Sequence, residues 1–329
     1  MKNSRLPFVV WMLALAGCDV LQEHRFCEPI DETQAAQLPE RLSQTGLFSD
    51  MATETLAPGV FPFAPRFEFW SDGAVKRRWI YLPPGTQIDT SQMDAWQFPQ
   101  GTKVWKEFSR GGVRVETRLL QKVGPGPEDW VPMAYLWNDS RTDANAVADG
   151  VIDALGTQHN VPAATECMGC HGGRESRLLG FSAIQLSHAG PPGGLNLREL
   201  TRRNLLSAPP PGDFVVPGDE RAKAALGYLH ANCSHCHNQN RPQGDGLRCF
   251  DPRNTIDFSL RVEDLGSVEQ TATYRTAIGS VVERGNPSGS EVIRRASSRG
   301  GIETSMPPLG TEDVDNHGIS LLQAWIEQL

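Results

Sequence analysis

The sequence contains no apolar run long enough to cross a bilayer. A membrane-spanning helix needs about 20 consecutive apolar residues, and the one greasy stretch, Phe8 to Leu15, is too short and stands at the very start. Positive charge is also scarce. With 31 Lys and Arg against 39 Asp and Glu, the formal net charge is −8, which argues against nucleic acid as a partner, because a phosphate backbone is gripped through basic surfaces. Repeats of the length that build solenoids or propellers are absent, and no acid/base constellation stands out. What remains is ordinary globular material: 39% hydrophobic and 21% charged residues in a chain of 329, enough for roughly two domains and a sizeable core.

The chain begins with Lys2 and Arg5, then the apolar run, then Leu15-Ala16-Gly17-Cys18. A basic lead, a short apolar stretch and a small-residue exit mark an export signal. The last four residues resemble the lipobox of bacterial lipoproteins. That implies a signal peptide over residues 1–17 and a lipidated Cys18 as the mature N-terminus; Asp19 after it implies inner-membrane retention in enteric-type bacteria. Loss of Lys2 and Arg5 with the signal takes the formal charge from −8 to −10. The expected location is the periplasmic side of the cell envelope, anchored to a membrane by the lipid.

Residues 18–50 read as a polar tether and an entry helix that Pro39 opens and that runs to about Thr45. Residues 51–154 read as a β-rich domain. Arg78 to Leu82 closes at Pro83-Pro84-Gly85, Val113 to Leu120 ends before Gly124-Pro125-Gly126-Pro127, and Val131 to Trp137 reads as one more strand. Residues 155–208 hold a first cysteine pair, and Pro209-Pro210-Pro211-Gly212 reads as an extended linker. Residues 209–329 carry Ala222, Ala225, Leu226 and Leu229 at helical spacing, and close with Ile319, Leu322, Ile326 and Leu329 on one stripe. Two helices therefore bracket a second cysteine pair.

Four of the seven cysteines fall into two identical spacings. Cys167-Met168-Gly169-Cys170-His171 and Cys233-Ser234-His235-Cys236-His237 both match C-x-x-C-H, the attachment pattern of c-type haem. Two thiols on one helical turn reach the two vinyl groups of the porphyrin, while the adjacent His swings under the iron as proximal ligand. Two chance matches would occur in only about one in 10⁵ shuffled chains, so chance is set aside. Zinc wants about 15 to 20 residues between paired C-x-x-C motifs, whereas 62 separate Cys170 from Cys233. A thioredoxin-like dithiol wants a strand-to-helix redox unit that neither motif has before it. The expected cofactors are two covalently bound haem c groups, with His171 and His237 on the irons.

Met306, in Ser305-Met306-Pro307-Pro308-Leu309-Gly310, lies 69 residues after His237 and just before the last helix. It is the expected second axial ligand of the second iron. For the first iron His159, His188 and Met133 are the candidates; with none of them bound, that iron is five-coordinate and open to a small molecule. His230 and His235 read as exposed bystanders. Cys27 and Cys249 are left over, and an oxidising compartment allows a disulfide between them without requiring one. Trp70-Ser71-Asp72-Gly73 reads as a β-turn under a packed ring in preference to a ligand site.

Together with the two haem motifs, several words resemble a family of bacterial envelope diheme c-type cytochromes over most of residues 40–329. They are Leu42-Ser43-Gln44-Thr45-Gly46-Leu47-Phe48, Phe69-Trp70-Ser71-Asp72-Gly73-Ala74 with Lys76 and Arg77, and Tyr135-Leu136-Trp137-Asn138-Asp139, then Leu179-Gly180-Phe181, Gln185-Leu186, Gly285-Asn286-Pro287 and Met306-Pro307-Pro308-Leu309-Gly310. The resemblance implies haem attachment and electron transfer and names no substrate. The expected fold is multidomain: a mainly-β N-terminal domain, a haem-binding segment, and an all-α class I cytochrome c-like C-terminal domain. The expected partners are redox proteins, towards whose basic patches an acidic carrier is steered. The alternative is a diheme enzyme such as a peroxidase, which needs one iron open to substrate; a docking subunit whose β region binds a dehydrogenase is a third possibility.

Overall fold

A computed structural model of the chain describes residues 38–239, 255–301, 304–308 and 310–329. The export signal, Cys18 and both members of the Cys27/Cys249 pair lie outside the described residues. Among the described residues are eight strands. β1 (Phe48–Asp50) and β2 (Thr55–Leu56) form a small antiparallel ribbon, and β3 (Val60–Pro62), β4 (Val75–Tyr81), β5 (Lys103–Arg110), β6 (Val113–Lys122), β7 (Trp130–Trp137) and β8 (Ala144–Ala146) form a six-stranded antiparallel sheet in chain order. The strands expected near residues 78–82, 113–120 and 131–137 are β4, β6 and β7. The expected entry helix is one 3-10 turn, Leu42–Gln44.

Alternation divides the sheet's two faces. The register sets Trp79 opposite Trp105, Trp105 opposite Leu119 and Leu119 opposite Met133, and this apolar row packs on Leu42, Leu47 and Phe48. The buried Trp105 indole donates to Thr45 Oγ1 at 3.0 Å, which keeps a polar atom satisfied inside that core. On the other face only one end is apolar. There Ile80 and Leu120 meet Phe63, Trp96 and Phe98 and are roofed by Phe181, Leu186, Leu195 and Leu200. Further along the same face the cross-strand rows are Arg78–Lys106–Arg118 and Lys76–Phe108–Glu116, a polar stretch that no fold-forming rule predicts.

Six α-helices are found among the described residues: α1 (Met168–His171), α2 (Leu197–Arg202), α3 (Glu220–Asn232), α4 (Ala272–Ala277), α5 (Glu291–Ala296) and α6 (Asn316–Ile326). α3 starts where the Asp219 carboxylate accepts from Ala222 N, and α6 where Asp315 accepts from Gly318 N, each at 2.9 Å. Leu226, Leu229, Leu322, Trp325 and Ile326 pack these two helices together.

The expected all-α class I cytochrome c-like C-terminal domain is not found. Eight strands in two antiparallel sheets form the extended framework of the described chain, and of its helices only α3 and α6 are longer than six residues. Between them, the described residues from 255 to 315 are largely turns and irregular chain with two six-residue helices. So little helical surface cannot close a helical core alone. The apolar cluster around α3 accordingly recruits Ile184 and Phe67 from outside residues 209–329. At Gly227 the approach is so close that a Cβ would lie 2.1 Å from the Phe67 ring.

Candidate functional site

The first C-x-x-C-H motif forms a single helical turn at α1. Cys170 N and His171 N both donate to Cys167 O, at 3.3 and 3.1 Å, so the two thiols and the imidazole leave the same turn. His171 Nδ1 lies 2.6 Å from Arg177 O. Since a carbonyl only accepts, Nδ1 carries the proton and the Nε2 lone pair is left for a metal. Arg177 reaches this position with φ +57°, a left-handed conformation uncommon outside glycine. Its guanidinium donates to Gly172 O and Arg174 O, wrapping the end of the turn. Burial pushes the His171 imidazole down to about 4, so it is neutral at physiological pH, as an iron ligand must be.

The second motif repeats the device at the end of α3. Cys236 N and His237 N donate to Cys233 O at 3.1 and 2.9 Å. The His237 ring packs edge-on against Phe258, 5.4 Å between centroids, and Phe258 N donates to His237 O. The two turns, 62 residues apart in sequence, touch in space. Cys236 Sγ lies 3.9 Å from Gly169 O, and Asn238 Nδ2 donates to Gly173 O at 2.9 Å.

The four thiols are free of disulfides and partly buried. Desolvation pushes Cys167 and Cys233 up to about 12 and raises Cys170 and Cys236 as well. They are therefore neutral thiols at pH 7. That is the opposite of the depressed thiol a catalytic dithiol needs, while a thioether carbon–sulfur bond requires no thiolate in the finished protein. Among the described residues, no three or more His, Cys, Asp or Glu side chains converge as a metal site. A porphyrin iron asks the protein for only one or two ligands.

The candidates for the first iron separate clearly. Met133 projects from the opposite sheet face into the core with Trp105 and Leu119. Both ring nitrogens of His188 are engaged, Nε2 with Ala64 O at 2.8 Å and Nδ1 with Gly190 N at 3.2 Å. His159 is buried, and its Nε2 lies 2.7 Å from Glu116 Oε1. Glu116 also holds Arg118 through both oxygens. This His159–Glu116–Arg118 group, with Lys106 beside it, is the polar stretch of the sheet. Arg118 acts electrostatically on both Cys167 and Cys170, and Lys106 on Cys170 and His171. Reading along the sequence misses it, because residues 116 and 159 meet only when β6 is in the sheet. The one available signal is a charged residue at alternate positions of strands that are otherwise apolar.

His230 and His235 are not the exposed bystanders they were expected to be. His230 is 5% exposed, and its Nδ1 accepts from Leu260 N at 3.1 Å. His235 is partly buried with an unpartnered Nδ1. Both line a cavity of about 460 Å³ beside the second motif, together with Asp94, Arg174 and Asn238; the four motif cysteines, His171 and His237 do not line it.

Met306 is half-buried, its N–H donating to Arg295 O at 3.0 Å. The loop that follows it is clamped to the β region. Ser71 to Ala74 is a tight turn with Asp72 and Gly73 at positive φ. The Asp72 carboxylate accepts from Thr311 Oγ1, Glu312 N and Asp313 N, and Trp70 Nε1 donates to Asp313 O at 3.0 Å. The turn expected at Trp70–Gly73 thus also serves as the anchor of the Met306 loop.

Two identical turns fit a thioether-bound haem at each motif, and at the first the imidazole in the required tautomer and the cations of the sheet add to the fit. Comparison with models of protein families, with curated proteins and with solved structures gives no match for the chain.

Proposed function

We propose that this chain is an exported, lipid-anchored diheme c-type cytochrome that passes electrons between redox proteins of the bacterial cell envelope. The observation that supports it most directly is the repetition of one backbone device, C-x-x-C-H on a single turn with the His N–H returned to the first Cys carbonyl. Bound haem supplies a one-electron iron couple. Cys167 and Cys170 hold one group and Cys233 and Cys236 the other, with His171 and His237 as proximal ligands. The bond from His171 to Arg177 O fixes the ring and its tautomer. Contact between the two turns would keep the redox centres in one interior, and Met306 would supply a thioether ligand to the second iron, which raises its potential. Cys18 carries the lipid.

Pyridine-haemochrome titration with mass analysis of correctly matured protein tests this reading, and two porphyrins per chain on the two motif peptides are expected. Peptides without porphyrin at either motif would end it. Met306→Ala should abolish the far-red methionine-to-ferric band; a persisting band would assign another Met.

One observation favours a second reading, a haem enzyme such as a peroxidase: the buried His159–Glu116–Arg118 group is an acid/base constellation facing the first motif. A high-spin ferric signal that accepts cyanide, with peroxide turnover lost in His159→Ala, selects the enzyme. Two low-spin irons inert to peroxide select the carrier.

A further inference from the structure

Resting on the diheme reading, we infer that Lys76, Arg78 and Lys106, with Arg118 beside them, form the seat for the two propionate carboxylates of the haem tethered to Cys167 and Cys170. Arg78, Lys106 and Arg118 are direct cross-strand neighbours on β4, β5 and β6, and Lys76 is two residues from Arg78 on the same face. Like charges set directly opposite one another on a sheet are destabilising, and burial adds to the cost. Arg78 is only 5% exposed. The row must therefore be there for an anion.

The protein itself supplies too little negative charge. Of the buried carboxylates that act on these cations, Glu116 is already occupied by Arg118 and His159, and Asp315 acts on Lys76, whose Nζ also donates to Phe69 O. Glu68 is largely exposed and stops 3.9 Å from Arg78 Nη2, an atom left without a hydrogen-bond partner. Lys106 leans on the rings of Phe108 and Phe69, at 4.9 and 5.6 Å from their centroids. Such contacts offset part of a cation's desolvation but do not neutralise it. Burial and the neighbouring cations hold Lys106 well below the usual lysine range, and Lys76 is lowered to about 8. Arg78 and Lys106 thus lack a buried acid of their own, on the face that carries the charges acting on the first attachment turn. A haem brings two carboxylates on one edge of its ring.

The potential of each haem in the loaded protein, followed by spectroelectrochemistry, tests the assignment. Removing a cation beside the propionates favours ferric over ferrous iron. Lys106→Met should raise the oxidised-to-reduced ratio of the first haem about tenfold at fixed ambient potential, which is about 59 mV for one electron. The second haem should stay unmoved. Lys106→Arg should restore the wild-type value, and exposed Arg202→Gln should change neither haem. Lys76→Met, at a half-buried position, gives the same sign with less risk to folding. The infrared carboxylate stretch of ¹³C-propionate haem in the unaltered protein should be that of ion-paired carboxylates.

First-haem potentials unmoved in both Met variants, with two haems still counted, would overturn the inference and leave the diheme reading standing. Solvated propionates, or a first-haem spectrum that responds to added acetate or inorganic phosphate bound at these cations, would overturn it too. A chain without porphyrin would remove both.

Discussion

His230 shows how one buried side chain shapes the response to pH. Its imidazole is enclosed, accepts from Leu260 N, and stands near Arg174 and His235. Burial, and then those neighbours, hold it well below its ordinary value of 6.5. An unfolded chain takes up the proton near pH 6.5 while the folded chain refuses it. The stability His230 permits is therefore complete above about pH 6.5, and it is lost as pH falls from there towards the folded value. Each pH unit in that window costs about 1.4 kcal/mol for one such group. Urea unfolding of the haem-loaded protein between pH 7 and pH 5 should give a falling stability, and His230→Gln should reduce the slope by about that amount whatever its effect at pH 7. An unchanged slope would mean that another group carries the acid sensitivity. The sequence shows a histidine three residues before Cys233 and nothing of this, because Leu260 reaches it only through the fold.

Local patterns are enough for single elements. The alternation in β4, β6 and β7 and the apolar stripes of α3 and α6 all stand where residue spacing puts them. The architecture around α3 was not legible in this way. Two helices around a cysteine pair suggest a self-contained helical domain, but Phe67, 160 residues before Gly227, closes the core against α3. Gly227 makes this testable. At an exposed helical position, Gly→Ala stabilises by about 0.5–1 kcal/mol. Here the added carbon would lie 2.1 Å from the Phe67 ring, so Gly227→Ala should instead destabilise by about 1–3 kcal/mol. Pairing it with Phe67→Leu should recover part of the loss. A neutral or stabilising Gly227→Ala in thermal unfolding would show that α3 stands clear of the β region. The same long-range blindness hides the site's second layer: each C-x-x-C-H can be read from five residues, whereas Arg177 O and the Arg78–Lys106–Arg118 row depend on a turn and on sheet register.

At the scale of the whole molecule, the contact between the two motif turns matters more than either turn alone. No helix among the described residues is long and apolar enough to cross a membrane, and the redox chemistry proposed here is housed where the sheet, α1 and the end of α3 converge. With Cys236 Sγ 3.9 Å from Gly169 O and Asn238 bonded to Gly173 O, two haems tethered as proposed would share one low-dielectric interior. Unit charges about 12 Å apart in a medium of effective dielectric constant about 20 interact by about 1.4 kcal/mol, a factor of about ten in an equilibrium. Reducing one iron removes a positive charge that its neighbour feels, so the second electron should enter about tenfold less favourably than the first. Potentiometric titration of Cys167→Ala/Cys170→Ala should leave one wave: where the deleted haem is the one reduced first, that wave keeps the position of the original second wave, because a ferrous neighbour and an absent one both withhold the charge, and where it is the one reduced second, the wave falls by about 59 mV from the original first wave. The reciprocal variant, Cys233→Ala/Cys236→Ala, must then show the opposite pattern, because the coupling between two sites is mutual. A remaining wave that keeps its original position in both deletion variants would mean that the haems do not sense each other across this contact.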